Sequence, residues 1–300
     1  MSSKAVLVAV VVIASLWPSL VAEADAGPAI EAIYAAPGPS VVGTSVLTDD
    51  SGHLLDVYFP ANLGADGVRH PIITWGNGTL TSTSSYAPVL HHLASWGFVV
   101  IATPSTSTGS GSEILAAARL LVEENQDPSS LFYQRLDTTR IGASGHSQGA
   151  YGALNAALKS AGLITTVVPI GLPDVIWLSP LHASDLRGLT QTVFFVGGGD
   201  DWLSTSTGVL QYVQQVPGSA VVALLRGGVH DGIVSGTAAY LGYLTAWMMY
   251  QLRGDARAAG AFVGELAEIS ANAAWTVPFR SVSAALAPRA PLLAALVGEG

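Results

Sequence analysis

The chain has 300 residues, 50% of them hydrophobic and 11% charged, with a formal net charge of −9 and no cysteine. This size and apolar content suit one α/β domain with a large core, while an acidic chain without a basic run gives nucleic acid or an anionic surface no purchase. The lack of cysteine excludes a thiol nucleophile, a thiolate metal site and an iron–sulfur site, and an exported chain with so large a core can do without disulfides.

Residues 1–26 read as a secretory signal: Lys4 supplies the positive start, Ala5 to Leu16 is apolar, Pro18 breaks the run, and Ala22-Glu23-Ala24 and Ala24-Asp25-Ala26 both fit a small-x-small cleavage site. The apolar run is shorter than the ~20 residues of a membrane-spanning helix, so the expectation is a secreted chain starting near Asp25 or Gly27, with no stable membrane anchor. Residues 27–280 are expected to form the catalytic domain, and 281–300 an Ala/Pro/Leu-rich tail.

From about residue 53 to 252, strand-like and helix-like runs alternate. His53 to Phe59 alternates like a half-buried strand. Pro71–Trp75, Gly97–Ala102, Ile141–Ala143, Ile164–Ile170, Thr192–Val196 and Ala220–Leu225 are short apolar runs that fit strands buried on both faces. Helical patterns fall at Tyr86–Trp96, Glu113–Glu124 (with Ser112 as a plausible cap), Gln148–Lys159, Gly208–Gln215 and Thr237–Arg253. Such alternation implies a mostly parallel sheet covered by helices on both faces. The stretch between Ile170 and Thr192 is too short for a large cap domain.

The strongest motif is Gly145-His146-Ser147-Gln148-Gly149, which lies where a buried strand turns into a helix. It fits the G-x-S-x-G nucleophile elbow, whose tight turn strains the serine and exposes its hydroxyl at the sheet edge. Serine needs a base to take its proton, and the base needs a third group to orient it. Both are available later in the chain. The strand from Thr192 runs into Gly197-Gly198-Gly199-Asp200-Asp201-Trp202-Leu203, and the next strand ends in Gly227-Gly228-Val229-His230-Asp231. Of the seven histidines only His230 follows the last apolar strand; His146 lies inside the elbow and is expected to point away from the reacting atom. Counting from Thr192 favours Asp200 as the acid, while the Asp-x-hydrophobic pattern with Leu203 favours Asp201; Asp200 is preferred. An oxyanion hole needs two backbone N–H groups. Gln148, after the nucleophile, is one expected donor, and Asn77 in the loop Gly76-Asn77-Gly78-Thr79 is the other, with Gly78 or Thr79 next.

Trp75-Gly76-Asn77-Gly78-Thr79, Leu93 to Ile101, Leu136 to Ile141 and Gly145 to Gly149 together resemble bacterial cutinases and polyester (PET) hydrolases, and more loosely dienelactone-hydrolase and chlorophyllase-like esterases. The resemblance spans roughly residues 40 to 255. It implies an α/β-hydrolase fold, an exported serine esterase working without metal or organic cofactor, and a Ser147–His230–Asp200 (or Asp201) triad. Where polyester hydrolases usually carry an aromatic residue after the oxyanion-loop glycine, this chain has Asn77; Trp177 is similar in place to a tryptophan that flanks the cleft in that family. Gly78, Thr79, Trp177 and Trp202 are the expected substrate contacts, with Leu80 and Tyr86 as further candidates for an apolar floor. The expected partner is an ester, including a polymer surface, acted on by a monomer. A lipase or small-ester carboxylesterase with the same triad is the alternative reading, and a non-catalytic binding protein on the same scaffold is the third.

Overall fold

The computed structural model describes residues 29–177, 185–234 and 238–282. The segment read as a secretory signal and the tail beyond residue 282 lie outside them.

The strands are β1 (Val42–Thr48), β2 (Leu54–Pro60), β3 (His70–Gly76), β4 (Val99–Ala102), β5 (Leu136–His146), β6 (Thr166–Ile170), β7 (Thr192–Gly198), β8 (Ala220–Leu225) and β9 (Trp275–Ser281). They form one sheet in the order β1-β2-β4-β3-β5-β6-β7-β8-β9. Neighbours from β4 to β8 run parallel, whereas β1, β2 and β9 add antiparallel edges. Helices α1 (Ile30–Ala35), α2 (Ala87–Ser95) and α6 (Ala238–Met248) cover one face; α3 (Ser112–Glu124), α4 (Gln148–Lys159) and α5 (Ser206–Val213) cover the other.

Period-2 geometry explains the apolar runs. Along β7, Val193 and Phe195 enter the core under α3–α5, while Phe194 and Val196 enter the core under α2 and α6. Every position of β7 is therefore apolar or small, and the same alternation recurs in β4 and β6. Each core buries aromatic anchors: Phe132 and Tyr212 on one side, Trp75, Trp247 and Phe262 on the other.

Several local expectations change. Ser112 is the first residue of α3 rather than its cap; Gly111 takes that place at φ 77°. The helical run from Thr237 is divided, α6 ending at Met248 and a π-helical turn continuing over Met249–Arg253 to Gly254. Strands β1 and β9 pair at the two edges, and their mixed burial left no apolar run to read.

In parallel sheets, sites form beyond the carboxyl ends of the strands where the strand order reverses. Here β3 lies between β4 and β5, so that point falls between the ends of β3 and β5, at Gly76 and His146.

Candidate active site

β5 delivers Ser147 to the sheet edge. Ser147 has φ 55° and ψ −120°, a region side chains rarely adopt, at a cost of ~1–3 kcal/mol. Two glycines permit the turn: a Cβ on Gly145 would lie 2.4 Å from the Gly149 carbonyl oxygen, and one on Gly149 would lie 2.1 Å from that of Gly76. The Ser147 N–H donates to the Ile170 carbonyl at 2.9 Å, tying the elbow to β6. α4 begins at the next residue, so the Gln148 N–H is a first-turn donor without an intrahelical acceptor.

Ser147 Oγ lies 2.9 Å from His230 Nε2, and His230 Nδ1 lies 2.7 Å from Asp201 Oδ2. A carboxylate only accepts, which assigns the proton to Nδ1 and leaves Nε2 to accept from the serine hydroxyl. The Asp201 side chain is fully buried. Its Oδ1 accepts from the Leu203 and Ser204 N–H groups at 2.9 and 3.0 Å, so one oxygen is anchored and the other faces the imidazole. Ser147 and His230 are half-buried.

The preference for Asp200 is corrected by this geometry. Asp200 is exposed and donates its N–H to the Gly228 carbonyl, so it fastens the β7 turn to the His230 loop. The tight turn after β7 sends consecutive side chains in opposite directions, and only Asp201 points inward.

His146 is buried and bonded on both ring nitrogens. Nε2 lies 2.9 Å from the His230 carbonyl oxygen, and Nδ1 lies 3.0 Å from the Tyr86 hydroxyl. The carbonyl can only accept, so Nε2 carries the proton, Nδ1 accepts from Tyr86 O–H, and the Tyr86 oxygen accepts the Gly78 N–H at 3.0 Å. Burial, helped by the neighbouring His230, pushes the His146 pKa down to about 4. Burial likewise raises the Tyr86 phenol. This buried chain runs from the β3–α2 loop to the backbone of His230.

Asn77 follows β3 and is fully buried, which corrects the expectation that its N–H is an oxyanion donor, because no atom of it reaches the cleft. Its Nδ2 donates to the carbonyls of Thr103 and Ser105 at 2.8 and 3.1 Å, and its own carbonyl accepts from Thr108 Oγ1 at 2.8 Å. Two expected cleft residues prove otherwise: Gly78 is buried with its N–H committed to Tyr86, and Tyr86 lies beneath the site instead of on its floor. Thr79 is exposed at the rim. Trp177 and Trp202 are 52% and 68% exposed and meet edge to face with centroids 5.7 Å apart. Thr108 carries no signal in the sequence, and Tyr86 is legible there only as a candidate for the cleft floor, since both meet their partners only through the fold.

His146, His230 and Asp231 present ligand-type atoms within 4.8 Å of one another. Both nitrogens of each histidine are already hydrogen-bonded, so a metal ion would have to break those bonds. A cleft of about 490 Å³ between the β1–β2 turn and α3, lined by Asp49, His53, Leu55 and Glu113, contains none of Ser147, Asp201 and His230.

A mainly parallel sheet flanked by helices, with a strained serine at the strand–helix turn of β5, defines an α/β-hydrolase. The PET hydrolase-like family model matches residues 21–273, and the chain belongs to that family, whose members hydrolyse ester bonds. No curated protein matches the chain significantly.

Proposed function

We propose that the protein is an exported serine esterase of cutinase type that acts on polyesters through an acyl-enzyme. The observation that carries this reading is the hydrogen-bonded series Ser147–His230–Asp201, at 2.9 and 2.7 Å, on a nucleophile elbow. His230 takes the proton as Ser147 attacks the ester carbonyl, and Asp201 holds the tautomer and stabilises the imidazolium. The Gln148 N–H at the start of α4 and the N–H of Thr79, exposed after β3, hold the oxyanion, since Asn77 is fully buried and the Gly78 N–H is committed to Tyr86. His230 then gives its proton to the leaving alcohol, and water activated by the same imidazole releases the acid. One chain supplies every group, consistent with a working monomer.

Support for an insoluble substrate comes from the apolar rim. Leu80, Ile176, Trp177, Trp202 and Val229 are all exposed, and all lie on loops at the carboxyl ends of β3, β6, β7 and β8, around Ser147. Exposed apolar residues gathered on one edge mark a binding surface. Export is supported by Lys4, the apolar run that follows it and the Ala-x-Ala pattern.

The test is release of soluble acid from amorphous PET and from an aliphatic polyester film, with p-nitrophenyl butyrate and Ser147→Ala as controls. Serine-dependent release from film supports the reading. Hydrolysis of the soluble ester alone makes the protein a carboxylesterase without polymer activity. Near-wild-type turnover by Ser147→Ala overturns the mechanism.

A further inference from the structure

Trp177 lies on the loop after β6 and Asp201 on the loop after β7, and half-buried Asp174 joins the two loops. Its backbone N–H donates to the Leu203 carbonyl at 2.8 Å. Its Oδ1 accepts from the Thr205 N–H at 3.0 Å, and its Oδ2 accepts from Thr205 Oγ1 at 2.7 Å. Its carbonyl accepts from the Trp177 N–H at 2.9 Å. We propose that Asp174 is a positioning residue that clasps the two loops, setting both the aim of the Asp201 carboxylate and the pairing of Trp177 with Trp202. This rests on the serine-esterase reading above.

The clasp acts one peptide away from the acid. The Leu203–Ser204 peptide gives its N–H to Asp201 Oδ1 and its carbonyl to the Asp174 N–H. The next peptide gives the Thr205 N–H to Asp174 Oδ1. The backbone that anchors the Asp201 carboxylate is therefore held from behind by Asp174. Asp201 Oδ2 meets His230 Nδ1 at 2.7 Å, so a shift of this backbone bears directly on that bond. Trp202 sits between Asp201 and Leu203 on the same loop and meets Trp177 edge to face, so loops that part would also part the rings.

Asp174 is itself fixed. The Pro173 carbonyl accepts from the buried Tyr212 hydroxyl at 2.9 Å, so the Pro173–Asp174 peptide is held through both its carbonyl and its N–H. The carboxylate lies against the start of α5, where a Cβ on Gly208 would fall 1.7 Å from Oδ1. Thr205 Oγ1 accepts the Gly208 N–H at 3.0 Å, which leaves its proton for Asp174 Oδ2. A triad carboxylate works by holding the imidazole in one tautomer and orientation. Such a group must stay within ~0.5 Å of its productive place, and the residues behind it set that place.

The test compares Asp174→Ala, which removes the clasp, with Asp174→Asn. Both lose the charge, but asparagine can still accept the Thr205 N–H and donate to Thr205 Oγ1. Thr205→Val, with Thr205→Ser as its control, removes the hydroxyl from the other side and serves if Asp174→Ala does not fold. Each is assayed for kcat and KM on p-nitrophenyl butyrate, for the pH profile of kcat/KM, for release of soluble acid from PET film, and for the far-UV circular dichroism couplet of paired tryptophans. Loss of the orienting carboxylate costs ~10⁴ in kcat, and loosening it is expected to cost about tenfold. The expected result for Asp174→Ala is that fall in kcat with KM within about twofold. The acidic limb of its pH profile should move to lower pH, because a loosened carboxylate supports the His230 imidazolium less. Its tryptophan couplet should weaken, and film release should fall about two- to threefold further than the soluble rate. Asp174→Asn should recover all four readouts, and Thr205→Val should shift them in the direction of Asp174→Ala while Thr205→Ser does not. Equal effects in the alanine and asparagine variants, or an unmoved pH profile or couplet in Asp174→Ala, overturn the proposal. Failure of the esterase reading is seen separately, as hydrolysis that survives Ser147→Ala.

Discussion

His146 Nε2 lies 2.9 Å from the carbonyl oxygen of His230, so the residue before the elbow serine holds the backbone of the histidine that faces it. The hydrogen-bond order from the Gly78 N–H through Tyr86 and His146 to that carbonyl is fixed at each step by which atom can donate. This chain makes the spacing of serine and histidine depend on a tyrosine sixty positions away from the elbow.

Tyr86→Phe removes the hydroxyl and leaves the Gly78 N–H and His146 Nδ1 buried without their partner. Each such group costs ~1–3 kcal/mol. The variant is expected to lose about 2 kcal/mol or more in urea denaturation, with a lower kcat on a soluble ester. Unchanged stability and kcat would show that the chain does not hold the site.

Stability is expected to fall on mild acidification. The His146 pKa is about 4 in the folded protein against an ordinary value of 6.5, so between those values the unfolded chain binds the extra proton and stability rises with pH. The contribution is fully present above pH ~6.5 and is lost as pH falls towards 4, amounting to about 3 kcal/mol. Buried His70 and His92 shift in the same direction. Urea midpoints measured from pH 7.5 to 4.5 should decline, and His146→Gln should flatten the decline. Equal slopes in the two proteins would exclude His146 as its source.

The two neighbouring aspartates should separate cleanly. Asp201→Asn keeps the shape but stabilises the wrong His230 tautomer, and kcat should fall by about 10⁴-fold. Asp200→Asn alters an exposed side chain whose backbone makes the loop contact, and kcat should stay within about twofold. Equal losses in the two variants would place the orienting carboxylate elsewhere.

Much of this arrangement is legible in the sequence because it follows from local pattern. Strands buried on both faces leave unbroken apolar runs such as Thr192–Val196, and Gly145 and Gly149 bracket Ser147 because no larger residue fits the crossing. The choice of acid was not legible, because Asp200 and Asp201 differ by one step in a turn whose direction depends on the Gly228 and Leu225 carbonyls of the neighbouring strand's end. The edge strands β1 and β9 escaped for a related reason: half of their side chains face away from the core, so neither carries a continuous signal. His146 looked like a bystander because Tyr86, its partner, comes from another layer of the fold.

Substitution of Trp177 and Trp202 is expected to separate turnover of soluble esters from action on a solid. They come from different loops, after β6 and after β7, and meet edge to face at 5.7 Å while each keeps half or more of its surface exposed. Neither bonds to Ser147 or His230, and Trp202 adjoins Asp201 only along the backbone. Truncation to alanine removes little buried area, so folding stability should move by no more than about 0.5 kcal/mol, and kcat/KM on p-nitrophenyl butyrate should stay within about threefold. An aromatic contact with a polymer segment is worth ~0.5–1.5 kcal/mol, so each variant should release soluble acid from PET film about three- to tenfold more slowly. The double variant should lose less than the product of the two, because the rings brace one another. If film release and soluble-ester turnover fall together, the pair supports the site instead of contacting polymer. If neither changes, the pair does not contact the polymer.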